Sequence, residues 1–207
     1  IVPQLAVKDA ALEAISSGIK LVNILTEYVP ALDSSVIVAW AKKYGARVIG
    51  PASIGIISPG KGKIGSIGSG EIQHVFKKGP IGVISKSGGM TGELAVVLGR
   101  AGLGQSTVVG IGADTIVGSD FVDILELFEK DAETKATVIF GEVGGSSEER
   151  IAQYVKTKKL KKPIIAIIAG KFTETLPQGT VLGHAGAIVS KGKGGYASKI
   201  KAFKAAK

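Results

Sequence analysis

The stretch "GHAGAIVSKGKGG", Gly183 to Gly195, carries one of the two histidines in the chain. Gly183, Ala185, Gly186 and Ala187 leave space for a bulky group beside the imidazole, and a glycine- and lysine-rich tail at Lys191–Gly195 follows. A phosphoryl group carried on Nε2 of His184 needs such room, with backbone amides and a helix end to hold its oxygens. Upstream, "FGEVGG" sets Glu142 at the end of an apolar run, before two glycines. A carboxylate there is either a solvated turn residue or the acceptor of a histidine Nδ1 proton, which fixes the tautomer and leaves Nε2 as nucleophile. In the third stretch, "VISKSGGMTGEL", an apolar run ends at Ser85 and a helix opens near Gly89. Ser87, Gly88 and Gly89 would present hydroxyl and amide donors at the positive end of that helix. That is an anion or carboxylate site, and it is compatible with plain capping by Ser87.

The same turn admits a rival chemistry. Ser87 on a sharp strand-to-helix turn resembles a nucleophile elbow, with an acid and His184 following in α/β-hydrolase order, but Ser85 stands where the elbow requires glycine. Two phosphate motifs are set aside. Gly60, Gly62 and Gly65 fit G-x-G-x-x-G without a strand before or a helix after, and Gly55 to Gly60-Lys61 resembles a P-loop with Gly62 in place of the magnesium-binding Ser or Thr.

These residues need a scaffold, and the hydrophobic pattern supplies one. Strands are expected at Ile19–Leu25, Arg47–Ile49, Ile81–Ser85, Thr107–Ile111, Thr137–Phe140 and Pro163–Ile168. Helices are expected at Lys8–Ser17, Asp33–Tyr44, Met90–Arg100, Asp120–Glu129, Glu148–Lys156 and Tyr196–Lys204. Several strands are almost wholly apolar, as parallel strands covered on both faces are. Alternation with helices implies right-handed crossovers and a doubly wound, mostly parallel α/β sheet. Glycines cluster just past the strands, where open α/β sheets bind ligands. The segment Gly50–Gly70 has little periodicity and reads as a long linker or functional loop, with a domain boundary near Gly50. The first fifty residues hold too few elements for an independent sheet and begin without methionine, so the chain reads as a fragment.

Composition narrows the chemistry. The chain has 207 residues and no cysteine, which excludes disulfides, thiolate metal sites and thiol nucleophiles; two histidines exclude a histidine-rich metal centre. No metal-ligating residues are assigned, although carboxylates alone can hold Mg²⁺. No apolar run approaches the ~20 residues of a membrane span, and no targeting segment opens the chain, so a soluble, cytoplasmic protein is expected. The net charge is +9, with lysines clustered at Lys156 to Lys162 and Lys191 to Lys207. Without aromatic–basic interleaving these read as solvated helix faces or a site for anionic phosphates rather than a nucleic-acid surface. Abundant lysine and a single asparagine lean toward a thermophilic source.

Taken together, "GPASIGIISPG", "GVISKSGGMTGEL", "GIGADTIVGSDFVDILELFEKD", "GEVGGSSEE" and "GHAGAIVSKGKGG" resemble, in order and spacing, the α subunits of succinyl-CoA synthetases and their relatives, ATP-citrate lyase and citryl-CoA synthetase. The resemblance implies a flavodoxin-like ligase domain at 51–207, preceded at 1–50 by the remnant of a Rossmann-like CoA-binding domain whose glycine fingerprint lies upstream. It implies that His184 is phosphorylated with Glu142 as its carboxylate partner. It also implies that Ser85, Ser87, Gly88, Gly89 and Thr91, with Gly183 and Gly186, receive phosphate and the acid. Coenzyme A would be a substrate, and ATP or GTP with Mg²⁺ would bind mainly to a β-type grasp subunit. The glycine–lysine tail would let the histidine loop travel between stations. Succinyl-CoA synthetases usually read "GPNCPG" and "SGT" where this chain has "GPASIG" and "SGG", which is more like ATP-citrate lyase and leaves room for a tricarboxylate. "GHAGAI" followed by "GKGG" is more like the succinate enzyme, so succinate is the expected acid, citrate the alternative. A non-catalytic anion- or CoA-binding module is the alternative of another class.

Overall fold

The computed structural model describes residues 1–68, 72–158, 160–177, 180, 183–189 and 194–206, the side chain of Gln73 excepted. In chain order the elements are α1 (Val7–Ser16), β1 (Leu21–Asn23), α2 (Ala31–Tyr44), β2 (Arg47–Ile49), β3 (Gly55–Ser58), β4 (Gly62–Gly65), α3 (Ile72–Val75), β5 (Lys78–Ser85), α4 (Gly88–Arg100), β6 (Gln105–Gly110), α5 (Phe121–Lys130), β7 (Ala136–Gly141), α6 (Ser147–Thr157), β8 (Ile164–Ile168) and α7 (Tyr196–Lys204). A short 3₁₀ turn precedes α1 and another follows β8.

The strands form a two-stranded parallel sheet, β1–β2, and a six-stranded sheet in the order β4-β3-β6-β5-β7-β8. From β6 to β8 the second sheet is parallel throughout, and its chain order (second, first, third, fourth) is that of a flavodoxin-like winding. Side-chain alternation divides its core into two layers. Val83, Val108 and Val138 pack with Leu94 and Ala95 of α4, while their neighbours Ile84, Val109 and Ile139 pack with Phe121, Leu125 and Ile151 of α5 and α6. These residues are almost completely buried on both faces, which is why the centres of β5 and β7, and Val108–Val109 of β6, read as apolar runs. A third core joins α1, α2, β1 and β2 around Ile15, Ile37 and Val48.

One expectation needs correction. The segment 50–70 is not merely a linker. β3 and β4 form a hairpin, and β3 adds to the main sheet antiparallel to β6. Ile56 and Ile57 face opposite sides of the sheet, while Gly55, Gly62 and Gly65 dilute the alternation that would have marked a strand. The apparent nucleotide motifs lie on this hairpin, with Gly60-Lys61 at its tip.

Candidate functional site

Helix α4 begins where β5 stops, at the point where strand order reverses: β6 lies to one side of β5 and β7 to the other. Such switch points leave a crevice at the carboxyl ends of the strands. A cleft of about 260 Å³ opens there, lined by Lys86, Ser87, Gly88 and Gly89 from the β5–α4 turn, Ala113 and Asp114 beyond β6, Gly183, His184 and Ala185, and Glu27, Tyr28, Ala52 and Ile54.

The helix start is built as the sequence requires. Ser87 caps α4, its Oγ accepting from the Met90 amide at 3.4 Å. Ser85 and Thr91 are completely buried and stand behind the cleft wall. The Ser85 hydroxyl donates to the Ser87 carbonyl (2.9 Å) and accepts from the Ser87 amide (3.2 Å), and the Thr91 hydroxyl donates to the same carbonyl (2.6 Å). The two side chains therefore shape the turn, leaving the Ser87 hydroxyl and the Gly88 and Gly89 backbone at the surface of the cleft.

Across the cleft, His184 Nδ1 lies 2.8 Å from Oε1 and 2.9 Å from Oε2 of Glu142, a partner 42 residues away. The histidine side chain is 45% exposed and the glutamate 16%. With an ionised Glu142 as acceptor, Nδ1 carries the proton and Nε2 keeps its lone pair. The loop is seated from three directions. The Gly186 amide donates to the Ala113 carbonyl (2.9 Å), the Gly145 amide to the Ile188 carbonyl (3.2 Å), and the Tyr28 hydroxyl to the Gly183 carbonyl (2.9 Å). Gly144 makes this seating possible: its φ is +100°, and a Cβ there would sit 2.4 Å from Ala187 Cα. The Gly144 amide donates to the Gly194 carbonyl at 2.7 Å; the lysines of the expected flexible tail, Lys191 and Lys193, lie outside the described residues.

Four cleft residues escaped the motif reading. Lys86, between the two serines, is the one lysine among the described residues of the lining; its Nζ pairs with Oε1 of the buried Glu148 at 2.8 Å. Its position in a strand-to-helix turn was the signal that could have identified it. Asp114 accepts from the Tyr28 and Val29 amides, both at 3.1 Å. Burial raises its pKa above the ordinary value, against the opposing effect of those two amides. Tyr28 and Glu27 come from the segment before α2, and no local pattern in the sequence links them to a site 155 residues away. Among the described residues no cluster of three or more His, Asp or Glu could hold a metal ion, and no helix is long and apolar enough to cross a membrane.

Comparison with known proteins places the chain in a family. The family model described as CoA-ligase matches residues 84–207. The α subunit of the ADP-forming succinate–CoA ligase of Methanothermobacter thermautotrophicus is 47% identical over 99% of this chain and 67% of its own length; α subunit 2 of the Archaeoglobus fulgidus enzyme is 46% identical over 99% and 68%. Among solved structures, ATP citrate lyase from Methanothrix soehngenii, in complex with citrate and coenzyme A, superposes with a TM-score of 0.95 at 32% identity, covering 100% of this chain and 34% of the lyase chain. The chain thus spans about two thirds of the length of these curated relatives and about one third of the lyase. A family model that covers residues 84–207 and relatives that align over 99% of the chain lead to one conclusion: this chain belongs to the CoA-ligase family of acid–thiol ligases, with the α subunits of succinate–CoA ligases.

Proposed function

We propose that the chain forms succinyl-CoA as the α-type part of a nucleotide-dependent acid–CoA ligase that works through phospho-His184. The observation that carries this reading is the two-oxygen contact of Glu142 on His184 Nδ1, at the mouth of a cleft whose opposite wall is a capped helix N-terminus. Nε2 of His184 attacks the γ-phosphorus of ATP or GTP, and the bond to the β-phosphate oxygen breaks to release the diphosphate. The phosphoryl group passes from Nε2 to a carboxylate oxygen of succinate. The CoA thiolate then attacks the acyl carbon, and phosphate leaves.

Each step asks something different of this chain. While phosphorylated, the ring is cationic if Nδ1 keeps its proton, and Glu142 balances that charge. The α4 terminus, with the Ser87 hydroxyl and the Gly88 and Gly89 amides, offers donors to phosphoryl or carboxylate oxygens. Lys86 adds positive charge on the same side. Gly183 leaves space beside the ring: among the described residues nothing lies within 4 Å of where its Cβ would be. Residues 1–50 are assigned to the end of a CoA-binding domain and 51–207 to the ligase domain. Nucleotide with Mg²⁺ belongs on a β-type grasp subunit, and the assembly is a cytoplasmic hetero-oligomer.

A second acid is favoured by one observation. Gly89 lines the cleft, and among the described residues nothing lies within 4 Å of an added Cβ, which supports an acid larger than succinate, such as the tricarboxylate citrate. The test is intact mass and peptide mapping after incubation with ATP, Mg²⁺ and the matching β-type subunit, with His184→Asn as control. Acid-labile, alkali-stable phosphate on His184, discharged by CoA with succinate faster than with citrate, is expected. Absence of phosphate, while the α subunit of a relative is phosphorylated under the same conditions, overturns the reading in favour of a binding module. Labelling of Ser87 by a fluorophosphonate would instead support a hydrolase.

A further inference from the structure

Beneath the Glu142–His184 pair lies a buried group of charges that the proposed chemistry does not use. Glu148 and Lys199 are both fully enclosed, the one at the start of α6 and the other on α7. Lys199 Nζ is paired with Glu148 Oε2 and donates to the carbonyls of Gly144 and Gly145 at 3.1 Å each, with Glu149 Oε2 at 3.2 Å. Oε1 of Glu148 accepts from the backbone amide of Glu142 at 3.1 Å and from Lys86 Nζ at 2.8 Å. The end of β7 is adapted to this arrangement: a Cβ on Gly141 would lie 2.6 Å from Glu148 Cγ, so only glycine lets the carboxylate pass beneath the strand.

We propose that Glu148 and Lys199 are positioning residues that set the Glu142 carboxylate against His184 Nδ1. The backbone from 142 to 145 is gripped at both ends by opposite charges, Glu148 on the amide of Glu142 and Lys199 on the carbonyls of Gly144 and Gly145. The same stretch holds the histidine loop, through the Gly144 amide on Gly194 and the Gly145 amide on Ile188. One ion pair therefore fixes both partners of the contact, the carboxylate and the ring. Stability alone is a poor reason to bury it, because well-packed apolar residues of similar volume serve a fold as well or better. An exact register between two loops is something apolar packing supplies less well, since a charge-assisted hydrogen bond fixes direction as well as distance. Lys86 extends the network to the cleft wall, so a shift of Glu148 is felt on both sides of the site.

The inference rests on the reading that Glu142 orients His184, and its test separates the two. In the chain labelled with ¹⁵N-histidine, the ring-nitrogen shifts of neutral His184, identified by their loss in His184→Asn, report the tautomer. The wild type is expected to be mainly Nδ1–H, and Glu142→Gln to lower the Nδ1–H to Nε2–H ratio at least fivefold. Glu148→Leu/Lys199→Met, with both charges removed, is expected to stay folded and lower the ratio by a similar factor. Glu148→Gln should have a smaller effect, and Glu149→Gln, which loosens Lys199 without touching Glu142, should have none. An unchanged ratio in Glu142→Gln overturns the underlying reading and the proposal with it. If Glu142→Gln responds but the folded double variant keeps the wild-type ratio, the proposal alone is overturned. If the double variant does not fold, Glu148→Gln decides in the same way. An equal fall in Glu149→Gln would mean general loosening and would also overturn it.

Discussion

Glu142→Gln isolates the charge of the carboxylate from its shape. In the wild type both oxygens lie within 2.9 Å of Nδ1, and the glutamate side chain is mostly enclosed while the ring is about half exposed. Two unit charges about 4 Å apart attract by about 4 kcal/mol at an effective dielectric constant of ~20 and about 1 kcal/mol in water. The exposed ring places the pair between those limits, nearer the lower one, because solvent screens it. Glutamine can accept from Nδ1–H or donate to a bare Nδ1, so the variant loses the tautomer bias together with the extra stabilisation of the cationic ring as the phosphoryl group arrives, about 2 kcal/mol. That corresponds to phosphorylation of His184 about 30-fold slower. The fold should be unaffected within ~0.5 kcal/mol, since the substitution is isosteric and removes no buried partner. The assay is quenched-flow formation of acid-labile phosphate from labelled ATP, with Mg²⁺ and the β-type subunit in excess, beside thermal unfolding of the variant alone. A rate within threefold of wild type in a folded variant would refute the charge argument.

Gly144→Ala should lower stability by about 1–3 kcal/mol and speed proteolysis within 183–189, because alanine is strained at φ +100° and its Cβ overlaps Ala187; unchanged melting and cleavage would contradict the described seating. Asp114 provides a pH signature. Burial raises its folded pKa, so its contribution is fully present below the ordinary value of 3.8 and is lost as pH rises through the folded value. The stability of wild type relative to Asp114→Asn, followed by thermal melts from acid to neutral pH, should therefore decline as pH rises, and an increase would refute the assignment. Asp120→Ala removes a capping box in which Asp120 accepts from the Val122 and Asp123 amides while Asp123 accepts from the Asp120 amide; a loss of about 1 kcal/mol in denaturant titration is expected.

The parts of the fold that the sequence reveals are those with strong local periodicity. β5 and β7 are buried over most of their length, and no polar residue interrupts the hydrophobic signal at their centres; in β6 that signal is confined to Val108 and Val109, after Gln105, Ser106 and Thr107. Helix α5 announces its start with Asp120 and Asp123. The β3–β4 hairpin hides because glycine contributes neither an apolar nor a polar face, so four-residue strands with glycine at their ends look like loop. At the site, Gly144 and Gly186 were legible because they are needed for close approach, and close approach leaves a compositional trace. Ser85 and Thr91 show the limit of that logic: a hydroxyl near a phosphate-binding turn looks the same in sequence whether it points at the ligand or back at the chain.

Lys199 is the harder case, and it shows where local reading must fail. It lies in a run with Lys201 and Lys204, within a cluster whose natural reading is a solvated basic face, yet its own side chain is fully enclosed. Nothing within a helical turn distinguishes it from its neighbours, because its partners are the Gly144 and Gly145 carbonyls and the Glu148 and Glu149 carboxylates, 50 or more residues away. A buried lysine is tolerated only where such acceptors already converge, so its position is set by the loop it serves rather than by the helix that carries it. The same holds for Glu148, which at the first turn of α6 passes for an ordinary acidic residue at a helix start. Both residues follow from the arrangement of β7, α6 and α7 around the histidine loop, and they connect the scaffold to the two side chains whose types first suggested the chemistry.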